Sequence, residues 1–117
     1  MAAMTVLVVD DHPGFRACAR RLLEREGFDV VAEAGDGLSA LERARDAHPQ
    51  LALVDVYLPD IDGFELAAQL RSLAGAPAVV LISSHERSEL EPLVPGCGAR
   101  GFVPKDELSR QTIEELL

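Results

Sequence analysis

The stretch Leu-Ala-Leu-Val-Asp-Val-Tyr-Leu-Pro-Asp-Ile-Asp-Gly, residues 51–63, decides the predicted fold. It begins with the apolar run Leu51–Val56, which Asp55 alone interrupts, and such a run is typical of a strand buried on both faces. Leu58-Pro59-Asp60 is turn-like. Gly63–Leu73 then carries leucines at helical spacing. A buried strand, a turn and an amphipathic helix in this order predict one unit of a parallel α/β sheet.

The same order recurs on both sides of this stretch. Four further apolar runs predict strands: Thr5–Val9, Phe28–Ala34, Ala78–Ile82 and Gly101–Val103. The second of these is less apolar and is expected nearer an edge of the sheet. Helices are predicted from Pro13 to about Gly27, from Leu38 to Ala47 after an Asp36 cap, and from Leu108 to Leu117. Strand–helix alternation with short connections predicts a doubly wound three-layer α/β/α sandwich around a five-stranded parallel sheet.

The segment between Ser84 and Arg100 departs from this pattern. It should hold a fourth helix, yet it contains Pro92 and Pro95. A proline inside a helix removes a hydrogen-bond donor and clashes with the preceding turn. We therefore expect a short or irregular helix there, limited to Glu86–Glu91.

Length and composition predict one domain spanning residues 1–117. The chain is 48% hydrophobic and 26% charged, and no apolar run approaches the ~20 residues that span a bilayer. A cytoplasmic location without membrane contact is therefore expected. The net charge is −9 and basic residues are not clustered, so this chain alone should not bind nucleic acid. Cys18 and Cys97 are expected to be reduced, with Cys18 buried on an apolar helix face.

Polar side chains follow the predicted strands where ligands bind in a doubly wound sheet, outside the carboxyl ends of the strands. They are Asp10, Asp11, Asp55, Ser83 and Lys105. Three neighbouring carboxylates repel one another, and a divalent cation with oxygen ligands, best Mg²⁺, removes that conflict. With Mg²⁺ bound, Asp55 can attack phosphorus and form an aspartyl-phosphate. Lys105 and Ser83 would then neutralise and hydrogen-bond the transferred group.

Each of these residues alone has an ordinary structural explanation. Asp11 or Asp62 could do no more than cap a helix, and an isolated lysine is usually solvated. His12 and His85 could ligate a metal or carry a phosphoryl group, although single loop histidines usually do neither. The functional interpretation depends on the strand-end residues occurring together.

Five segments in order resemble the receiver domains of bacterial two-component response regulators, from Thr5 to the last residue. They are Val8–Pro13, Leu53–Pro59, Asp62-Gly63, Leu81–Ser84 and Gly101–Lys105. Asp-Asp-His-Pro followed by Phe15-Arg16 is similar to the NarL/FixJ/LuxR-type group, whose receivers precede a helix-turn-helix domain. The resemblance implies a flavodoxin-like fold with strand order 2-1-3-4-5. No helix-turn-helix domain lies within these residues, so we expect either a single-domain regulator or a receiver whose output domain lies outside the given sequence.

The resemblance assigns roles to the strand-end residues. Asp55 would accept the phosphoryl group of a histidine kinase's phosphohistidine. Asp10, Asp11, Asp55 and the main-chain carbonyl of Tyr57 would hold Mg²⁺. Lys105 would bind the phosphoryl group.

The same resemblance implies a conformational response. Ser83 would act as the switch hydroxyl, and Phe102 would turn inward with it on phosphorylation. Tyr57 and His85 would tune hydrolysis of the phosphoryl group. Partners would be a sensor histidine kinase and, as a homodimer, a second copy bound through the fourth helix, fifth strand and fifth helix. The output would be transcriptional, and the chain would catalyse only its own phosphorylation and dephosphorylation.

Three other functions compete with this interpretation. An aspartate-nucleophile phosphatase usually needs a second Asp two residues after the nucleophile, where this chain has Tyr57. A degenerate receiver acting only as a scaffold would be expected to lose a carboxylate or the lysine, and all are present. A dinucleotide-binding domain needs a glycine-rich turn after the first strand, but Asp-Asp-His-Pro stands there.

Overall fold

The computed structural model describes residues 3–84 and 94–117. Within these ranges five strands form one parallel sheet, in the order β2-β1-β3-β4-β5. The strands are β1 (Thr5–Val9), β2 (Asp29–Ala34), β3 (Leu51–Asp55), β4 (Ala78–Ser83) and β5 (Gly101–Pro104). The predicted doubly wound fold and strand order are confirmed, and each strand ends within one residue of its predicted bounds. β2 lies at an edge, as its lower apolarity indicated.

In the described residues an α-helix follows each of β1, β2, β3 and β5. These helices are α1 (Pro13–Arg25), α2 (Gly37–Ala47), α3 (Gly63–Arg71) and the C-terminal helix (Arg110–Glu114), with 3-10 turns at Pro95–Cys97 and Lys105–Glu107. The C-terminal helix is shorter than the predicted Leu108–Leu117. The Ser109 side chain accepts a hydrogen bond from the Thr112 amide, and the Thr112 hydroxyl accepts one from the Ser109 amide. This capping box fixes the start of the helix at Arg110.

The core occupies both faces of the sheet. On one face, strand side chains pack against α2 and α3, through residues such as Ala40, Leu66 and Leu70. On the other face they pack against α1 and the C-terminal helix, through Leu23 and Ile113. The strands are apolar throughout because both of their faces are covered.

The expectation for Cys18 is wrong. Cys18 is exposed, whereas Ala19 and Leu23 are the buried residues of α1. Consecutive helical residues point about 100° apart, so the neighbour of a buried position readily faces away from the core. Cys97 is buried, and its thiol donates to the Val94 carbonyl oxygen at 3.1 Å.

The predictions for Glu86–Glu91 and for Pro92 lie outside the described residues. Pro95 opens a 3-10 turn, a position where its missing N–H is tolerated. Among the described helices, none has the length and apolarity required to cross a bilayer.

In the loop between β3 and α3, the main chain at Gly63 packs directly against the main chain at the end of β3. The Gly63 amide donates to the Val56 carbonyl oxygen at 2.7 Å, and Asp62 caps α3 through the Glu65 amide at 2.8 Å. A Cβ atom at Gly63 would lie 2.5 Å from the main-chain oxygen of Asp55. Only glycine fits there without a shift of the backbone beside Asp55.

Asp60, in the same loop, ties the loop to the start of α2. Its carboxylate accepts hydrogen bonds from the amides of Gly37 at 2.8 Å, Leu38 at 3.0 Å and Ile61 at 3.0 Å. These hydrogen bonds lower the pKa of Asp60, and the bond from the Gly37 amide has the largest effect. α2 is therefore capped twice, by Asp36 from its own chain segment and by Asp60 from the loop.

We predict that Gly63→Ala lowers the free energy of unfolding by about 1–3 kcal/mol, because the new methyl group forces the backbone near Asp55 to move. Urea unfolding followed by circular dichroism measures this. Gly14→Ala is the matched control, since a Cβ at Gly14 meets nothing within 4 Å. It should be neutral or stabilise α1 by up to about 1 kcal/mol. Equal effects of the two substitutions would contradict the prediction.

We predict that Asp60→Ala destabilises the protein by about 1 kcal/mol at pH 7, the usual effect of losing an N-terminal cap. The folded pKa of Asp60 lies below its ordinary value of about 3.9, so its contribution is complete above that value. It is lost as the pH falls through the folded pKa. Urea unfolding between pH 7 and pH 3.5 should show the two proteins converging in stability at the acidic end.

The control for this experiment is Asp46→Ala, which removes an exposed carboxylate near the end of α2. Negative charge is unfavourable at a helix C-terminus, so this substitution should be neutral or slightly stabilising at pH 7. If the difference in unfolding free energy between wild type and Asp60→Ala stayed constant with pH, the capping role of the Asp60 carboxylate would be contradicted.

Candidate functional site

Two buried carboxylates lie where the strand order reverses, between β1 and β3. Val9 pairs with Val54 in the parallel register, so Asp10 and Asp55 follow side by side. Asp10 is fully buried and Asp55 is 4% exposed. Burying a charged group is costly unless it is paired, so the surroundings of both residues must supply compensation.

The sequence Asp10-Asp11-His12 brings further ligand atoms to the same place. Carboxylate oxygens of Asp10, Asp11 and Asp55 and a ring nitrogen of His12 all lie within 4.8 Å of one another. The His12 Nδ1 atom is 3.1 Å from an oxygen of Asp10 and 3.1 Å from one of Asp11. The expected convergence of the three carboxylates is therefore present, and the cluster could hold a metal ion.

Lys105, in the turn after β5, supplies positive charge. Its Nζ atom lies 2.5 Å from Asp10 Oδ2 and 3.3 Å from Asp55 Oδ2, and 4.5 Å from the centroid of the Phe15 ring. Asp10 Oδ2 is buried and accepts no hydrogen bond from the described residues, although the Lys105 ammonium lies beside it. Opposite charges this close still attract whatever their angle, so we regard the contact as an ion pair.

The pKa of Asp55 is raised above its ordinary value. Burial is the main cause, and the negative charge of Asp10 adds to it. The charge of Lys105 and the Tyr57 amide, which donates to Asp55 Oδ1 at 3.3 Å, act in the opposite direction without cancelling the rise. Among the described residues, three carboxylates face one ammonium, so their negative charge exceeds its positive charge. Oxygen donors with excess negative charge and a buried oxygen lacking a hydrogen bond fit a hard divalent cation.

The other predicted site residues are distributed as follows. Ser83 is fully buried at the end of β4, one residue after the partner of Asp55 in the register. Phe102 is 4% exposed and belongs to the core on the α2–α3 face, so its ring is already inward here. The Tyr57 side chain is exposed. His85 lies outside the described residues, and its tuning role stays a prediction.

Two neighbours of the site were not singled out from the sequence. From the sequence, His12 could ligate a metal or carry a phosphoryl group, but a single loop histidine usually does neither. In the structure Asp10 accepts a hydrogen bond from the His12 amide at 2.8 Å, and the His12 ring lies beside the Asp10 and Asp11 carboxylates. Such Asx turns are a recognisable consequence of Asp two residues before a turn. Phe15 falls within the helix predicted from Pro13, and in the structure its ring contacts the ammonium of Lys105. Pro13 fixes the start of α1 and thereby places Phe15 in the first turn, next to the strand ends.

Comparison with known proteins identifies the family. The model of the response regulator receiver domain matches residues 6–117. A putative transcriptional regulator of Pseudomonas aeruginosa is 42% identical over 112 residues, which cover 96% of this chain and 52% of that protein. The virulence regulator BvgA of Bordetella pertussis is 37% identical over 108 residues, covering 92% of this chain and 52% of BvgA.

Solved structures agree with this result. The receiver domain of the putative response regulator NarL from Mycobacterium tuberculosis superposes with a TM-score of 0.88 at 35% identity, over 99% of this chain and 98% of that one. The chain spans about half the length of the curated relatives it matches. It is a member of the response regulator receiver domain family, a family of signalling proteins.

Proposed function

We propose that Asp55 accepts a phosphoryl group from the phosphohistidine of a sensor histidine kinase. The observation that supports this most strongly is the pairing of a nearly buried carboxylate with Lys105 beside two further carboxylates at the strand-order reversal. In the transfer an oxygen of Asp55 forms the new bond to phosphorus as the P–N bond of the donor breaks. The imidazole nitrogen keeps the bonding electrons.

Mg²⁺ is the cofactor we infer for this step. Asp10, Asp11, Asp55 and the main-chain carbonyl of Tyr57 would hold it, through oxygens and retained waters. When bound, it neutralises charge on the phosphoryl oxygens. Among the protein's own groups, Lys105 would bind a phosphoryl oxygen, and Ser83 would donate its hydroxyl to another. A stronger preference for Zn²⁺ with His12 as a ligand would contradict the Mg²⁺ assignment.

Asp55 must be ionised to act as a nucleophile, and its raised pKa opposes ionisation. A divalent cation at the cluster would lower that pKa by adding positive charge beside Asp55. Cation binding and readiness for transfer are therefore coupled in the proposed site. Acid should weaken both together.

The biological output is inferred from the relatives. The regulators of Pseudomonas aeruginosa and Bordetella pertussis named above are, by their names, regulators of transcription, and each is about twice as long as this chain. We infer that this receiver likewise controls transcription, in the cytoplasm, through an output domain or partner. A homodimer formed through the fourth helix, β5 and the C-terminal helix belongs to the same proposal.

We predict that wild-type protein incubated with acetyl phosphate and Mg²⁺ gains the mass of one phosphoryl group, and that Asp55→Asn gains none. Chelation of Mg²⁺ with EDTA should abolish the gain, because the carboxylate cluster would remain uncompensated. Intact-protein mass spectrometry is the measurement. Asp106→Asn, which removes an exposed carboxylate next to Lys105, is the control and should behave like wild type.

Two outcomes would favour the other functions. A wild-type protein that never gains mass would indicate a phosphate-independent scaffold. Continuous hydrolysis of an external phosphoester such as p-nitrophenyl phosphate, lost in Asp55→Asn, would indicate a phosphatase.

We also predict that the conformational response depends on Lys105 and Ser83. Phosphorylation adds about −1.5 to −2 charge, which these groups must gather around. Lys105→Ala should permit phosphorylation yet reduce the response of β5, and Ser83→Ala should weaken the response and slow transfer. NMR spectra of the β5 amides, with and without beryllofluoride and Mg²⁺, measure the response. Chemical shift changes of equal size in wild type and in both variants would show that the conformational response does not pass through Lys105, Ser83 and the Phe102 ring.

A further inference from the structure

An arginine of α1 holds the main chain of the most buried carboxylate residue. The Arg16 Nη1 atom donates a hydrogen bond of 2.6 Å to the main-chain carbonyl oxygen of Asp10. The Arg16 side chain is only 21% exposed, so this contact is largely shielded from water. It involves the carbonyl oxygen and leaves the Asp10 carboxylate oxygens for other partners. Arg16 therefore differs from Lys105, which contacts the Asp10 and Asp55 carboxylates directly.

The other side of the Arg16 guanidinium is anchored on the neighbouring strand. Arg16 Nε lies 3.4 Å from an oxygen of Glu33, near the end of β2. The next residue, Ala34, accepts a hydrogen bond of 3.0 Å from the Asp10 amide. Both main-chain polar groups of Asp10 are thus attached to the end of β2. The amide is attached directly, and the carbonyl is attached through Arg16 and Glu33.

The geometry of the peptide bond explains why this matters for the site. The Asp10 carbonyl and the Asp11 amide belong to one planar peptide group. A hydrogen bond that fixes the direction of this carbonyl also fixes the plane from which the Asp11 chain continues. Asp10 and Asp11 supply two of the three carboxylates in the cluster. The Arg16 contact therefore sets the orientation of one carboxylate relative to the other.

We propose that Arg16 is a positioning residue for the cation site, which acts by holding the peptide between Asp10 and Asp11. This inference rests on the proposed function, since it concerns the same cation and the same phosphoryl transfer. Partners that orient metal ligands typically contribute 10–100-fold to metal affinity. Arg16→Ala should accordingly weaken Mg²⁺ binding about 10-fold. The phosphorylation rate at saturating Mg²⁺ should change much less, because Arg16 touches neither Asp55 nor the phosphoryl group in the proposed site.

The chain offers a matched control in Arg20. It lies one turn further along α1 and shares the same anchor, with its Nε atom 2.9 Å from the other oxygen of Glu33. Its second contact is the Val30 carbonyl oxygen at 3.2 Å, away from the cluster. Arg20→Ala removes the same charge and the shorter of the two ion pairs to Glu33, but leaves the hydrogen bond from Arg16 to the Asp10 carbonyl in place.

The experiment compares wild type, Arg16→Ala, Arg16→Lys and Arg20→Ala. NMR titration gives the Mg²⁺ dissociation constant, and the rate of mass gain with acetyl phosphate is measured as a function of Mg²⁺ concentration. The Asp11 amide resonance reports directly on the peptide that Arg16 is proposed to hold. We expect it to shift in Arg16→Ala and to stay in place in Arg20→Ala, whose Mg²⁺ affinity should remain within twofold of wild type. Thermal unfolding shows any loss of stability separately.

Arg16→Lys keeps the positive charge but cannot bridge Asp10 and Glu33 with a planar fork. We expect its Mg²⁺ affinity to fall at least threefold, so this variant carries the test if Arg16→Ala does not fold. Equal Mg²⁺ affinities in the Arg16 variants and Arg20→Ala, with an unmoved Asp11 amide, would overturn the inference. A wild type that neither binds Mg²⁺ nor becomes phosphorylated would instead overturn the proposed function.

Discussion

Repulsion among clustered carboxylates is the main constraint on the structure at the carboxyl ends of the strands. Asp10 and Asp55 are buried side by side, Asp11 adds a third negative charge, and the described residues place a single ammonium, that of Lys105, between the first two. The pKa of Asp55 is raised, first by its burial and then by the negative charge of Asp10. A fold driven only by stability would not bury such a set, since removing charges from water is rarely repaid in full. The arrangement therefore supports the cation and phosphoryl site proposed above.

The strands around this cluster are rigid because both faces of the sheet are covered, whereas the loops that complete it are held by specific contacts. Gly63 permits the chain to pass against the main chain of Asp55, and Asp60 ties the same loop to α2. On the opposite side, Asp10 is attached to β2 by its own amide. Three contacts, those of Gly63, Asp60 and the Asp10 amide, thus hold the main chain around the carboxylates. They limit how far the carboxylates can separate under their mutual repulsion.

The sequence predicted the strands and the strand-end residues well because apolar runs and their polar terminators are local signals. It failed for the side of α1 that faces the core, since Cys18 lies beside the buried Ala19 yet is exposed. It also placed the start of the last helix too early, because the capping box at Ser109 sets that start at Arg110. The long-range hydrogen bonds of Asp60 and the support of Lys105 by Phe15 join residues 22 to 90 positions apart, so no local pattern announces them.

Lys105 has a further consequence for the chemistry of the chain. It is the only lysine in the sequence, and the other ten basic residues counted with it are arginines. Apart from the amino terminus, reagents that acylate amines thus have one target, and it is the ammonium enclosed between Asp10 and Asp55. Acylation removes the positive charge. A single covalent event would leave the three carboxylates with no neighbouring ammonium, and the extent of labelling would measure how often that ammonium leaves its partners.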